Sequence, residues 1–285
     1  MTFQSGLTRL ALGACAAILC VGSAVAQDAP SPDDSAMFAV GYDAYRAGNY
    51  ATALASWQPL AQSGDARAEF NLGVLYADGR GVDRDMAAAM AYWRKAAEQG
   101  HVRAAHNLGL ALIAGEPMVD GRLAAPNYVE AAKWLRMAAD AGYANSLYTL
   151  GKMFLDGLGV ERNPERAAQY FESAAAQGFV KAQYNLGKLY RDGAGVPRDE
   201  TRALFWFREA ALRGYAKAQS RLASRYADGK GVQRDAIEAL KWALLAQAQG
   251  YAPAAEQAAD LKSGMSAGDI AEAEVRMRAF VPEGA

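Results

Sequence analysis

Cysteine is nearly missing from this chain. Of 285 residues only Cys15 and Cys20 carry a thiol, and both lie in the first twenty positions. Histidine is as scarce, with His101 and His106 alone, which leaves little material for a multi-histidine metal site or a histidine-based catalytic apparatus. Charge of one sign is also lacking. Thirty Lys and Arg against 31 Asp and Glu give a formal net charge of −1, so bulk electrostatics make no case for nucleic acid or an anionic membrane as the main partner. There is no Gly-Lys-Ser/Thr phosphate loop and no His-Glu-x-x-His. Neither is there an apolar run of the ~20 residues that a membrane-spanning helix needs. What the chain does have is Ala, 28 Gly and a 10% share of aromatics, too much apolar surface for a disordered polymer.

The longest apolar run is twelve residues, Leu10 to Val21, preceded by Arg9 and followed by Ala24-Val25-Ala26. A charged start, a short apolar core and an Ala-x-Ala exit are the marks of a secretory signal peptide, cut after Ala26. Leu12-Gly13-Ala14-Cys15 has the look of a lipidation site, but only five apolar residues separate Arg9 from Cys15. Cleavage would leave 259 residues, 285 less 26, without cysteine. Disulfide, thiolate and cysteine–metal chemistry would then go together. Residues 27–35 are polar, with two prolines, and read as a flexible leader.

Self-similarity organises the rest. Leu72-Gly73, Leu108-Gly109, Leu150-Gly151 and Leu186-Gly187 recur, with Leu222-Ala223 in register. A Gly-x-Gly-Val turn follows at Gly79, Gly157, Gly193 and Gly229, and then Arg with Asp or Asn. Short polar residues stand at Asn49, Asp85, Asn127, Asn163, Asp199 and Asp235, giving spacings of 36, 42, 36, 36 and 36. The 102–143 unit has lost the Gly-x-Gly-Val turn and carries six extra residues, among them the insertion 116–123. A period of this length is the signature of a stacked repeat.

Each unit reads as two helices. Leu72, Leu75 and Tyr76 share one face of the first, Gly79 ends it with positive φ, and Asp85 caps the second. Small Ala and Gly let neighbouring helices approach, while Trp93 and its counterparts fill the space between them. Asp78, Asp156, Asp192 and Asp228 lie six residues before Arg84, Arg162, Arg198 and Arg234, and are expected to pair with them across each turn. No unit buries its own face, so the expected fold is an all-α solenoid of helix-turn-helix repeats. It would close with helices over 253–262 and 270–280, the second opened by a Ser266-Ala267-Gly268-Asp269 capping box.

The unit Ala-x-x-x-Leu-Gly-x-x-Tyr-x-x-Gly-x-Gly-Val, with its Asp-capped second helix and closing Gly, resembles the Sel-one-like repeat (SLR) family of the tetratricopeptide-repeat superfamily. The resemblance covers five repeats, 66–101, 102–143, 144–179, 180–215 and 216–251. A tetratricopeptide-like unit at 36–65 precedes them, and capping helices at 252–285 follow. It implies a right-handed α–α superhelix and a protein-binding role, not an enzyme. On that basis the expectation is a monomeric periplasmic scaffold or adaptor that holds a peptide or helix of a protein partner in its concave groove and serves in signalling or envelope regulation. No cofactor, metal, catalytic residue or nucleic acid is expected. An enzyme acting on cell wall or β-lactams, or a secreted effector meeting host proteins, are the alternatives; the cysteines of β-lactam-linked relatives are all absent here. The resemblance also assigns a groove. Its basic row holds Arg67, Arg103, Lys152, Lys181, Lys188 and Lys217, beside an aromatic row of Phe70, His106, Tyr148 and Tyr184, with His101 an exposed junction residue. The 116–123 insertion is a second place where partner specificity would sit.

Overall fold

The computed structural model describes residues 31–115 and 124–283. The signal-peptide expectation, Cys15, Cys20 and the 116–123 insertion lie outside the described residues. Fourteen helices and no strand occur among the described residues. They are α1 (Pro32–Arg46), α2 (Tyr50–Gln62), α3 (Ala66–Asp78), α4 (Met86–Glu98), α5 (Val102–Ala114), α6 (Tyr128–Asp140) and α7 (Ala144–Asp156). Then follow α8 (Pro164–Ala176), α9 (Val180–Asp192), α10 (Glu200–Leu212), α11 (Ala216–Asp228), α12 (Ala236–Ala248), α13 (Ala252–Ser263) and α14 (Ala267–Arg278). Every helix from α1 to α12 packs on the next one in the chain, the connectivity of an α–α solenoid. At the far end α14 folds back onto α12, where Phe280 meets Trp242 edge-on at 5.4 Å.

Local chemistry sets the helix ends. Asn49, Asp85, Asn127, Asn163, Asp199 and Asp235 each accept an N–H of the following first turn, satisfying donors the helix leaves open. Gly79, Gly157, Gly193 and Gly229 stop the first helices in the left-handed region, with φ between 67° and 71°. The second glycine of each turn answers to a neighbour: a Cβ on Gly159 would stand 2.2 Å from the backbone carbonyl of Tyr128. That turn is therefore a joint between successive repeats. The leader is shorter than expected. Ser31 accepts the Asp34 N–H at 3.0 Å and Pro32 opens α1, so the polar stretch is helical from Pro32 onward.

Packing within a hairpin is a knob in a notch. A glycine of the first helix, which follows the column leucine in the four Leu-Gly repeats and Val40 in the first hairpin, leaves a gap into which the second helix inserts Trp57 (at Gly41), Trp93 (at Gly73), Leu135 (at Gly109), Phe171 (at Gly151) or Phe207 (at Gly187), each close enough that a Cβ would sit under 3.0 Å from it. All five inserted side chains are buried. Where the sequence has Ala223 in place of glycine, the register position opposite is Ala243, and both are fully buried. The notch and the knob shrink together.

Among the described residues the expected Asp–Arg bridges across the turns do not form. Arg84 Nε donates to the Ala77 carbonyl at 3.0 Å, and Arg162 Nε to the Leu155 carbonyl at 3.1 Å. Arg198 pairs with Glu200. The aspartates turn elsewhere: Asp78 to Arg80, Asp156 to Lys152, Asp192 to Arg191 and Asp228 to Lys230. An exposed aspartate is well solvated, whereas the last carbonyls of a helix lack a donor, so Arg84 and Arg162 go to the carbonyl.

Candidate functional site

The first helices α3, α5, α7, α9 and α11 present one register of side chains at i, i+4 and i+7. That stripe runs Arg67-Asn71-Val74, Arg103-Asn107-Leu110, Asn145-Thr149-Lys152, Lys181-Asn185-Lys188 and Lys217-Arg221-Ser224. It changes character along the stack, from apolar at Val74 and Leu110 to basic at Lys152 and Lys188. A cleft of about 710 Å³ lies between α3 and α5, lined by Val74, Ala77, Trp93, Leu110 and Ala111 among others. A second, about 570 Å³, lies between the C-terminal halves of α9 and α11 and is lined mainly by charged groups.

The structure places the ten expected groove residues in three different situations. Arg67 is consumed locally: it forks onto its own helix cap Asp65, with Nη2 to Oδ2 at 2.6 Å, and its guanidinium covers Phe38 at 4.5 Å. Burial acts to raise the Asp65 pKa, but Arg67 and the Ala68 and Arg67 amides outweigh it and hold the carboxyl below its ordinary value. Lys152 reaches Asp156 at 3.0 Å. Among the described residues Arg103, Lys181, Lys188 and Lys217 form no ion pair. Arg221 belongs with them, and the sequence reading missed it because its column holds Asn or Thr in the preceding repeats.

The aromatic row is mortar more than binding surface. Phe70 stacks on His101 at 4.5 Å, Tyr148 meets Phe179 at 5.2 Å and Tyr184 meets Tyr215 at 5.4 Å. Each partner is the residue after a closing glycine, a column of its own in the sequence (His101, Tyr143, Phe179, Tyr215, Tyr251) that had not been singled out. Two expectations for histidine are corrected here. His106 does not face a groove: it is buried, its Nδ1 is 2.8 Å from Ser146 Oγ, and Tyr143 meets it edge-on at 5.0 Å. His101 is half-buried and its Nδ1 accepts the Ala104 N–H at 3.1 Å, making it the cap of α5. Burial pushes both imidazoles below their ordinary pKa, with Arg103 adding to the shift at His101.

Two arrangements have the outline of catalytic chemistry, and neither has its context. Ser146 beside His106 looks like a nucleophile and base, but Ser146 is fully buried and no substrate reaches it in this packing. Gly264-Met265-Ser266-Ala267-Gly268 fits the Gly-x-Ser-x-Gly pattern, whose chemistry requires a strand-to-helix elbow. Here it joins two helices. Ser266 caps α14, accepting the Asp269 N–H at 3.1 Å and donating to its carboxylate at 2.8 Å. Among the described residues no His/Cys/Asp/Glu group of three or more is placed to hold a metal ion, and no helix is long and apolar enough to cross a membrane.

A regular stack of helical hairpins, with caps, notches and joints repeated at the same register, defines an α-solenoid repeat protein. The family model of the Sel1 repeat matches residues 66–101, 102–143, 144–179, 180–215 and 216–251, and the chain belongs to that family. A search of the curated proteins finds no match. Among solved structures, a Sel1 repeat protein from Oxalobacter formigenes is 28% identical over 87% of this chain and 98% of its own, with a TM-score of 0.71. A protective antigen present in uropathogenic Escherichia coli strains, with an SLR fold, is 24% identical over 87% of this chain and 68% of its own, at a TM-score of 0.46. Sel1 repeat proteins generally mediate protein–protein interaction and are typically non-enzymatic scaffolds.

Proposed function

We propose that this protein is a periplasmic scaffold or adaptor that binds a protein partner along the face made by its first helices. One observation carries the reading. The first-helix stripe is a long surface that leaves basic side chains, the lysines of α9 and α11, without an ion-pair partner among the described residues, and carries an exposed apolar side chain, Leu110 (42% exposed), in the α3–α5 cleft. Solenoids offer such continuous surfaces because each repeat contributes the same register position, and an extended or helical segment laid along it meets one side chain per repeat. The charged start, apolar core and Ala-x-Ala exit of residues 1–26 support the periplasmic address. Mass spectrometry of the protein from a periplasmic fraction should find Gln27 as its first residue; an intact Met1 would count against export by cleavage.

The face is tested by affinity capture from periplasmic extract with three baits: wild type, Leu110→Glu and Phe205→Glu. Phe205 is 53% exposed on the second-helix surface of α10. The same partner should come down with wild type and Phe205→Glu and be lost with Leu110→Glu. Loss with Phe205→Glu alone would move the interaction to the opposite surface and end this reading.

A further inference from the structure

Charge is not spread evenly along the first helices. α9 carries Lys181, Lys188 and Arg191 against Asp192, and α11 carries Lys217, Arg221 and Arg225 against Asp228, a net +2 each in a chain of net −1. No other first helix exceeds +1, and α1, α3 and α13 are net negative. Several arginines and lysines of the fold are already tied down. Arg225 is buried, ion-paired with Glu200 and laid over the Phe207 ring at 5.6 Å; Arg191 is held by Asp192 and Lys230 by Asp228. Lys181, Lys188, Lys217 and Arg221 have no such partner among the described residues.

We infer that the α9–α11 end of the first-helix face is the recognition site for a carboxylate-rich, extended segment of the protein partner. This inference rests on the partner-binding reading of that face and gives it a chemistry and a direction. An acidic chain offers these cations the carboxylate partners that the fold does not give them, so charge complementarity selects the occupant. Lys181 and Lys188 are two turns apart on α9, about 10.5 Å along its axis. In an extended segment alternate side chains point the same way about 6.6 Å apart, so acidic residues at every second position present an unbroken row of carboxylates to the stripe, without a one-to-one register to the two lysines. The surface is a poor one for nucleic acid. The tyrosines beside the lysines are engaged in ring contacts between repeats, leaving no open platform for bases.

The test uses defined probes on the purified full chain. A fluorescent 12-residue peptide of alternating Glu and Ser is titrated against its Gln/Ser counterpart and a dT12 oligonucleotide. Two charge-reversal variants are compared: K217E/R221E on the site, and R136E/R208E on second helices α6 and α10, which changes the net charge by the same amount. The Glu peptide should bind at least tenfold tighter than the Gln peptide. It should lose at least tenfold in K217E/R221E, hold within twofold in R136E/R208E, and weaken at least fivefold between 50 and 300 mM salt. If K217E/R221E fails to melt like wild type, K181E/K217E takes its place. Equal binding of Glu and Gln peptides overturns the inference, as does equal loss in both variants. Preference for dT12 would mean the face takes nucleic acid, and binding of no probe would also refute an acidic occupant. In each of those cases the capture experiment with Leu110→Glu still decides separately whether the face binds protein at all.

Discussion

The notch-and-knob packing gives a quantitative prediction at Gly151. In an isolated helix, Gly→Ala stabilises by about 1 kcal/mol, because alanine loses less backbone entropy. Here the added Cβ would stand 2.6, 2.7 and 3.1 Å from Cε1, Cδ1 and Cζ of Phe171. The ring is fully buried and held from another side by Tyr148, with centroids 5.8 Å apart. Overpacking of this kind costs about 1–3 kcal/mol, and a ring with no room to swing belongs in the upper part of that range. Gly151→Ala should therefore destabilise by about 1–2 kcal/mol despite its propensity gain. Phe171→Ala alone should cost about 3–5 kcal/mol. In the Phe171→Ala background the clash is gone, so Gly151→Ala should stabilise by about 1 kcal/mol, a reversal of sign. Urea unfolding followed by circular dichroism, at unchanged m-value, reads all four corners of the cycle. Hydrogen exchange in α7 and α8 checks that the change is local, since repeat arrays also open unit by unit. The packing account is refuted if Gly151→Ala stabilises the wild-type background, or acts equally in both.

Further outcomes follow from the same contacts. Arg162→Ala removes a donor from the Leu155 carbonyl and should destabilise by about 0.5–1 kcal/mol, while Asp156→Ala should be nearly silent; the opposite ranking in thermal melts would restore the cross-turn ion pair. Gly159→Ala drives a Cβ into the Tyr128 carbonyl at positive φ, whereas Gly157→Ala meets only ordinary side-chain contact at 3.4 Å. The first should lower the melting temperature far more than the second, which carries only the left-handed penalty of about 1–2 kcal/mol. Burial lowers the pKa of His101 and His106, so below the ordinary histidine value the unfolded chain takes up more protons than the folded chain does. Stability should then fall as pH drops from about 7.5 to about 5.5, and His106→Gln should flatten that slope in urea titrations; an unchanged slope would deny His106 its role. The window stops there because carboxyls take over at lower pH: Glu69, raised by burial, acts with the opposite sign, and Asp65, held low by Arg67, with the same sign.

The repeat, its helices and their ends were legible because their causes are local. An Asp or Asn cap and a left-handed Gly act within a few residues, and so does a leucine–aromatic period. What depends on how repeats meet was not legible. Arg84 lies six residues from Asp78 and seven from Ala77, so spacing alone does not tell a carboxylate partner from a carbonyl one. The aromatic row looked like a groove because Phe70, Tyr148 and Tyr184 recur on a helix face; only the stacking of neighbouring repeats shows Phe179 and Tyr215 closing over them. His106 fell inside for the same reason, its partner Ser146 lying forty residues on. The basic row separated for want of local partners: Arg67 had Asp65 two residues away, while Lys181 and Lys217 had none. Arg221 hid in a column otherwise filled by Asn or Thr, where a single departure carries no periodic signal.

Photo-crosslinking from single positions tests the central claim most directly. A benzophenone-bearing residue is placed at Leu110 or Lys188 on the first-helix face, or at Val129 or Phe205 on the second-helix surface. The account predicts that the same partner is crosslinked from Leu110 and Lys188 and not from Val129 or Phe205. Crosslinks from Val129 and Phe205 alone would contradict it.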